Sequence, residues 1–275
     1  MRRPDTYFNS LAGVPVYYDR FSDAPYGSIG KPYKFYADEL FIKQLNACFD
    51  ELWEICPLGK AVIINSAGTY VDKPGSYHNK GRAFDIDSIF WKDKSFVFSN
   101  FPKQPIFYLG VEAVLKKHFG TVLSFLYNTA HNDHIHIDNG SSKYFRKVKS
   151  TVLFIQATIV YVFEISIAID GIWGPETESA LSYVLNMLGL STDINNLHVW
   201  NIFLTLSAKT AFDKETSSEK NPLDLLQDLY HVIGTELNNL PVRKSIECTL
   251  NTFVNHHETQ DWLNTYRCKN IAKQS

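Results

Sequence analysis

The sequence predicts an α+β domain followed by an all-helical region. Three observations carry this. Residues 36–56 place apolar side chains at helical spacing and are stopped by Pro57. Two short segments, AVIINSAG at 61–68 and RAFDIDSIF at 82–90, read as strands. From residue 151 onward the pattern is mainly helical. One helix beside short antiparallel strands in a single region argues for a small antiparallel sheet with flanking helices.

Taken in order, residues 1–35 are rich in Tyr, Pro and Gly and read as an irregular lead-in to the first helix. After the first strand, TYVDKPGSYHNKG at 69–81 carries the Pro, Gly, Asn and Ser content of a loop. YLGVEAVLKKHF at 108–119 reads as a second helix, and His118 near its end suits the dipole there. VLSFLYN follows, then HNDHIHID at 131–138, whose second half alternates like a strand. NGSSKYFRKVKS at 139–150 is polar and basic and marks a boundary. The expected units are therefore 1–148, 149–190 and a helical extension over 191–275, where SEKNPLDLLQDLYHVIGTEL places Pro near a helix start.

Composition narrows the function classes. With 45% hydrophobic residues the chain can build a core, and 27 basic against 29 acidic residues argue against nucleic acid. The apolar run from Val152 to Ile169 approaches membrane-span length but holds Gln156 and Glu164. A carboxylate near mid-span costs roughly 2.5 kcal/mol or more, so a buried helix is expected and no membrane span. No apolar stretch follows Arg2 and Arg3, so no secretory signal is expected. Cys48, Cys56, Cys248 and Cys268 form no close pair. Cys48 and Cys56 would lie about 12 Å apart along a helix, too far for a disulfide, and read as buried free thiols.

The chemistry concentrates in two segments. His131, His134 and His136 fall within six residues, with Asp133 and Asp138 among them. On a strand His134 and His136 share a face, so one strand can offer two imidazoles. A catalytic zinc wants three N or O ligands and a position left for water. SYHNKGRAFDID at 76–87 offers the remainder: His78 in the loop and Asp85 in the strand beyond it. Gly81 permits the turn between them and the small Ala83 leaves room on the site-facing side. Asp87 and Asp138 read as strand-end polar groups or as partners that orient a ligand imidazole. His256-His257-Glu258 completes no HExxH and reads as a solvated helix.

Ser76, His78, Gly81, Ala83 and Asp85 fill the pattern SxHxxGxAxD, and HxH follows downstream. Together these resemble the LAS group of zinc peptidases, named for lysostaphin, D-alanyl-D-alanine peptidases and the hedgehog signalling domain. The triplet HNDHIH is most similar to penicillin-insensitive murein endopeptidases. The resemblance covers about residues 60–140. It implies an LAS-like fold, Zn2+ held by His78, Asp85 and His136, Asp133 as general base, and His134 or His131 stabilising the transition state or sharing the base role. Many dipeptidase relatives carry Arg before the Ser-x-His, where this chain has Gly68, Thr69 and Tyr70. That departure favours cutting inside a cross-link over recognition of a free terminal carboxylate.

IDGIWGPETESAL at 169–181 is similar to the three-helix peptidoglycan-binding module, whose signature DGxxGxxTxxA is filled by Asp170, Gly171, Gly174, Thr177 and Ala180. Trp173 reads as core or as an exposed aromatic for a sugar, with core favoured. Both resemblances imply one polymer. The expected activity is zinc-dependent hydrolysis of D-Ala-containing cross-links in bacterial peptidoglycan. The alternatives are a catalytically silent zinc-containing wall-binding protein and a D-alanyl-D-alanine carboxypeptidase or dipeptidase. Without a signal, the chain is expected to be made in the cytoplasm and to act in the periplasm or wall. It would be released as an endolysin or delivered as an antibacterial effector, with residues 191–275 open to an immunity or delivery partner.

Overall fold

The computed structural model describes residues 2–216. The expected helix at 218–237, His256-His257-Glu258, Cys248 and Cys268 lie outside them.

The fold is α+β, but its main sheet is larger than expected and mixed rather than antiparallel. The short strands are β1 (Tyr7–Phe8), β2 (Ser10–Leu11), β3 (Val14–Tyr18), β4 (Lys31–Pro32) and β5 (Phe35–Tyr36). After helix α1 (Glu39–Ile55) come β6 (Ile63–Gly68), β7 (Ala83–Phe90) and β8 (Ser95–Val97). Helix α2 (Pro105–His118), β9 (Thr121–Leu123) and β10 (Ile135–Asp138) complete this part. The eight-stranded sheet runs β2-β3-β6-β7-β10-β9, with β4 beside β3 and β8 beside β7, while β1 pairs only with β5.

The lead-in of 1–35 is thus not irregular. Its Tyr residues favour strands, and Val14 and Val16 are buried while Pro15 and Tyr17 are half-exposed, the period of a strand with one buried face. β3 then pairs in parallel with β6, setting Tyr18 opposite Ser66. A parallel pair needs a crossover, and α1 supplies it. Asp38 caps α1 by accepting from the Phe41 amide at 3.1 Å. Phe41, Leu45, Cys48, Phe49 and Leu52 bury one face of the helix.

In β7, Phe84 and Ile86 turn into this core, and Ile135 and Ile137 do so from β10. Alternation therefore sends Asp85 and His136 to the opposite side of the sheet. Cys48 and Cys56 are buried free thiols, and burial pushes Cys56 up to about 11.

The Val152–Ile169 run is buried only over its first half, as helix α3 (Lys149–Ala157) and most of a π-turn at Thr158–Val162; from Phe163 it is irregular chain that alternates half-buried and exposed, with Glu164 exposed. No helix among the described residues is long and apolar enough to cross a membrane. Helices α4 (Pro175–Met187) and α5 (Leu197–Thr216) follow. One buried cluster runs from the sheet through α2 into α3, α4 and α5. Phe145 spans the 139–150 segment with ring contacts to Trp173 at 5.4 Å and Trp200 at 5.5 Å. Trp173 packs partly buried at the edge of this core.

α5 packs against α2, where the Phe212 ring meets Phe107 at 5.2 Å and covers Gly110. A Cβ on Gly110 would sit 2.7 Å from that ring. Gly110→Val should therefore lower stability by about 1–3 kcal/mol through overpacking, read as a fall in Tm. An unchanged Tm would contradict this packing of α5.

Candidate metal centre

The β7–β10 register places His136 directly opposite Asp85. His78 joins them from the single 3-10 turn His78–Lys80. The Ser76 hydroxyl accepts the His78 amide at 3.2 Å and starts that turn. Gly81 ends it at φ +64°, where a Cβ would lie 2.6 Å from Pro4 Cγ and 3.0 Å from Ala37 Cα. Both the left-handed backbone and the close approach require glycine. Ala83, buried, sits across from Asp138 in the same register.

His78, Asp85 and His136 form the group that could hold a metal ion, with one donor atom from each lying within 4.8 Å of the others. His78 Nε2 is 3.2 Å from His136 Nδ1 and 3.3 Å from Asp85 Oδ2. His136 Nδ1 is 2.8 Å from Asp85 Oδ1.

Each imidazole is oriented from behind. His78 Nδ1–H donates to the Thr69 carbonyl at 2.6 Å, which leaves the Nε2 lone pair facing the centre. His136 Nε2–H donates to Asp138 at 3.2 Å, and Asp138 is itself held by the Gly140 amide at 2.7 Å. Asp138 thus contacts the His136 ring as well as ending the strand. Without a metal, His136 faces a carboxylate at both nitrogens. Burial works against the charged ring, but hydrogen bonds to Asp138 and Asp85 outweigh it and push His136 up to about 9. Burial likewise opposes the Asp85 carboxylate, and hydrogen bonds from His136 and His78 hold it below the ordinary range. A metal ion held here would take the place of the proton at His136 Nδ1, so its binding would compete with protonation.

The other predicted residues lie beside this set. β10 begins at Ile135, so His134 lies one residue before the strand, yet its ring and that of His136 both approach Asp85 Oδ1. The His134 Nδ1–H donates to Asp133 Oδ1 at 2.6 Å, and its Nε2 stands 3.8 Å from Asp85 Oδ1. His131 lies in the short turn Thr129–His131, its ring 5.2 Å from that of His134 and its Nδ1 2.7 Å from Asn128 Oδ1. Burial, then the neighbouring His134 and His136, lowers His131 to about 4, so it is neutral at pH 7.

Arg20, from the end of the N-terminal strand β3, is the site residue that sequence reasoning missed. It donates from Nε and NH2 to both oxygens of Asp87, at 2.9 and 2.8 Å, and from NH1 to Asp133 Oδ2 at 3.0 Å. Asp87 is fully buried, and burial raises it to about 6 against the pull of Arg20. Arg20 thus links a carboxylate inside the sheet to one at the site. Its partners stand 67 and 113 residues away in sequence, and no local motif marks it.

In the second segment, Asp170, Gly171 and Thr177 serve the loop itself. Gln156 on α3 accepts from the Asp170 and Gly171 amides and donates to Asp170 Oδ1, the Ile172 carbonyl and the Thr177 hydroxyl. The sequence marked this buried amide only as a polar interruption; its oxygen accepts two backbone amides and its two N–H bonds are shared among three oxygens.

No protein-family profile, curated protein or solved structure matches the chain.

Asp138→Asn should weaken metal affinity roughly 10–100-fold, because the orienting partner of a ligand imidazole is lost. A competition titration with a chromophoric chelator measures this. Unchanged affinity would mean that His136 is not a ligand.

Proposed function

We propose that this chain is a zinc-dependent peptidase of the LAS type that hydrolyses D-Ala-containing cross-links in bacterial peptidoglycan. The observation that carries the reading is the convergence of His78, Asp85 and His136, each imidazole oriented from behind, with Asp133 and His134 beside them. Zinc ligands at about 2.0–2.1 Å stand roughly 3.3 Å apart in a tetrahedron. The two imidazole donors, 3.2 Å apart, suit that spacing, and Asp85 brings Oδ1 to 2.8 Å from His136 Nδ1 and Oδ2 to 3.3 Å from His78 Nε2. Two imidazoles and a carboxylate are also the donor types that zinc takes in catalytic sites.

A zinc ion here supplies Lewis acidity and a water with a pKa near 7. The protein handles the protons. Asp133 is the base that receives the water's proton and returns it to the leaving amine. Burial opposes its charge, but hydrogen bonding by His134 and the cation of Arg20 keep its carboxyl below the usual range. It is therefore ionised at neutral pH and ready to accept. His134 anchors one nitrogen on Asp133 and turns the other toward Asp85, and it is assigned to the oxyanion. His131 has its Nδ1 on Asn128 and stays neutral, which leaves it shaping the rim. Wall binding by residues 149–190 belongs to the same proposal and rests on the DGxxGxxTxxA pattern.

Digestion of purified peptidoglycan with zinc-loaded protein, read by mass, tests this reading. Cross-linked dimers should fall to monomers with wild type, whereas Asp133→Ala and His136→Ala should release nothing and only the latter should lose zinc. Loss of a terminal D-alanine alone would make the enzyme a carboxypeptidase. No change in any fragment, with zinc and wall binding intact, would make it a silent binding protein.

Arg20 supplies a second test. Arg20→Lys keeps a cation for buried Asp87 but loses the fork that also reaches Asp133. Misplacing the base should cost on the order of 10²-fold in kcat. Weaker charge stabilisation raises the Asp133 pKa, so the acidic limb of the pH–rate profile should move to higher pH. An unmoved limb would show that Arg20 does not act on the base.

A further inference from the structure

A groove of about 360 Å³ opens on the N-terminal side of the metal centre, and nothing in the mechanism above uses it. Its floor is the end of β6 with Thr69 and Tyr70, and its walls are the aromatic residues of the β4–β5 segment and Arg3. Two of its lining residues neighbour the candidate ligands. Gly68 pairs with Asp85 across the β6–β7 ladder, and the Thr69 carbonyl orients His78. Gly68 holds φ +137°, a conformation that favours glycine, and a Cβ there would meet nothing within 4 Å. A ligand main chain can therefore approach this backbone closely.

Two cations face this space. The Arg3 guanidinium stacks on the Tyr36 ring at 3.7 Å, and Lys34 Nζ lies 4.7 Å over the ring of Tyr7. Stacking fixes the plane of Arg3 and leaves its N–H edge able to take a carboxylate by two hydrogen bonds. Every other ion pair near the N-terminus uses different cations: Arg2 pairs with Asp5, Lys31 with Asp23, and Arg20 with Asp87 and Asp133. Among the described residues neither Arg3 nor Lys34 has a carboxylate partner. Tyr33 is half-exposed and braced edge-on by Phe35 at 5.3 Å, which gives the groove a fixed aromatic face.

We propose that this groove binds a carboxylate-bearing arm of the peptide substrate, so that Arg3 and Lys34 position the chain whose bond is cut. The inference rests on the peptidase reading and deepens it. The occupant is taken as peptide because two residues that line the groove, Gly68 and Thr69, touch Asp85 and His78 of the site where the cleaved molecule itself must lie. Its acidity follows from two cations with no internal partner, and its volume suits a segment of a few residues. In a wall stem peptide, the free α-carboxylate of the isoglutamyl residue has this chemistry.

The test uses the zinc-loaded full chain and two synthetic stem peptides that differ only in that carboxylate, free in one and amidated in the other. Equilibrium titration compares wild type with the Arg3→Gln/Lys34→Gln variant, and hydrolysis of the corresponding cross-linked dimers is followed in parallel. The variant should bind the free-carboxylate peptide at least about tenfold more weakly, while both proteins bind the amidated peptide alike. For the free-carboxylate dimer KM should rise by a similar factor, with kcat changed less than about twofold. Tyr33→Ala, which removes no charge, should weaken both peptides equally. Equal affinity of wild type and double variant for the free-carboxylate peptide would overturn the groove assignment. The two readings fail separately. Carboxylate-dependent binding without hydrolysis would support the groove and remove the peptidase, whereas hydrolysis indifferent to both substitutions would do the reverse.

Discussion

The antiparallel register between β7 and β10 is the constraint on which the rest depends. It sets Asp85 opposite His136 on one face while Phe84, Ile86, Ile135 and Ile137 fill the core on the other. A slip of one residue would turn the donors inward and the apolar side chains outward. The hydrophobic effect that fixes the sheet therefore also fixes the donor geometry. His78 is tied to the same frame twice, through Gly81 packed under Pro4 and Ala37 and through the Thr69 carbonyl. A centre built this way is held before any ion arrives, which lowers the ordering cost of binding.

Charge balance is the second organising feature. Asp85, Asp87, Asp133 and Asp138 crowd one side of the sheet, and Asp87 is fully buried. Arg20 neutralises the pair farther from the ligands, and His136 lies between Asp85 and Asp138. Replacing a proton at His136 by a dication strengthens this balance. The carboxylates divide by surroundings: Asp85 lies between His78 and His136, Asp138 holds His136 from behind, Asp87 grips Arg20, and Asp133 bonds both Arg20 and His134.

The donor set was legible in the sequence because its residues lie in two short segments with fixed internal spacing. SxHxxGxAxD carries a turn and a strand, and HxH carries the partner strand, so local geometry nearly determines the site. The residues that escaped act across the chain. Arg20 sits in a Tyr- and Pro-rich stretch that looks irregular, and its role depends on contacts with residues far away in sequence. Gln156 looked like a polar interruption in an apolar run, whereas its amide organises the Asp170–Gly171 turn. The N-terminal strands were missed for a related reason. Strands of two residues have no periodicity to detect, and β3 is stabilised by parallel pairing with β6 rather than by its own pattern.

X-ray absorption at the zinc edge on the purified full chain tests the central claim most directly. The account predicts one zinc per chain in a shell of nitrogen and oxygen donors at about 2.0–2.1 Å, without sulfur and with two imidazoles. In His78→Ala the same spectrum should lose one imidazole contribution. A chain that binds no zinc at equal stoichiometry, or a shell unaltered by that substitution, would contradict it.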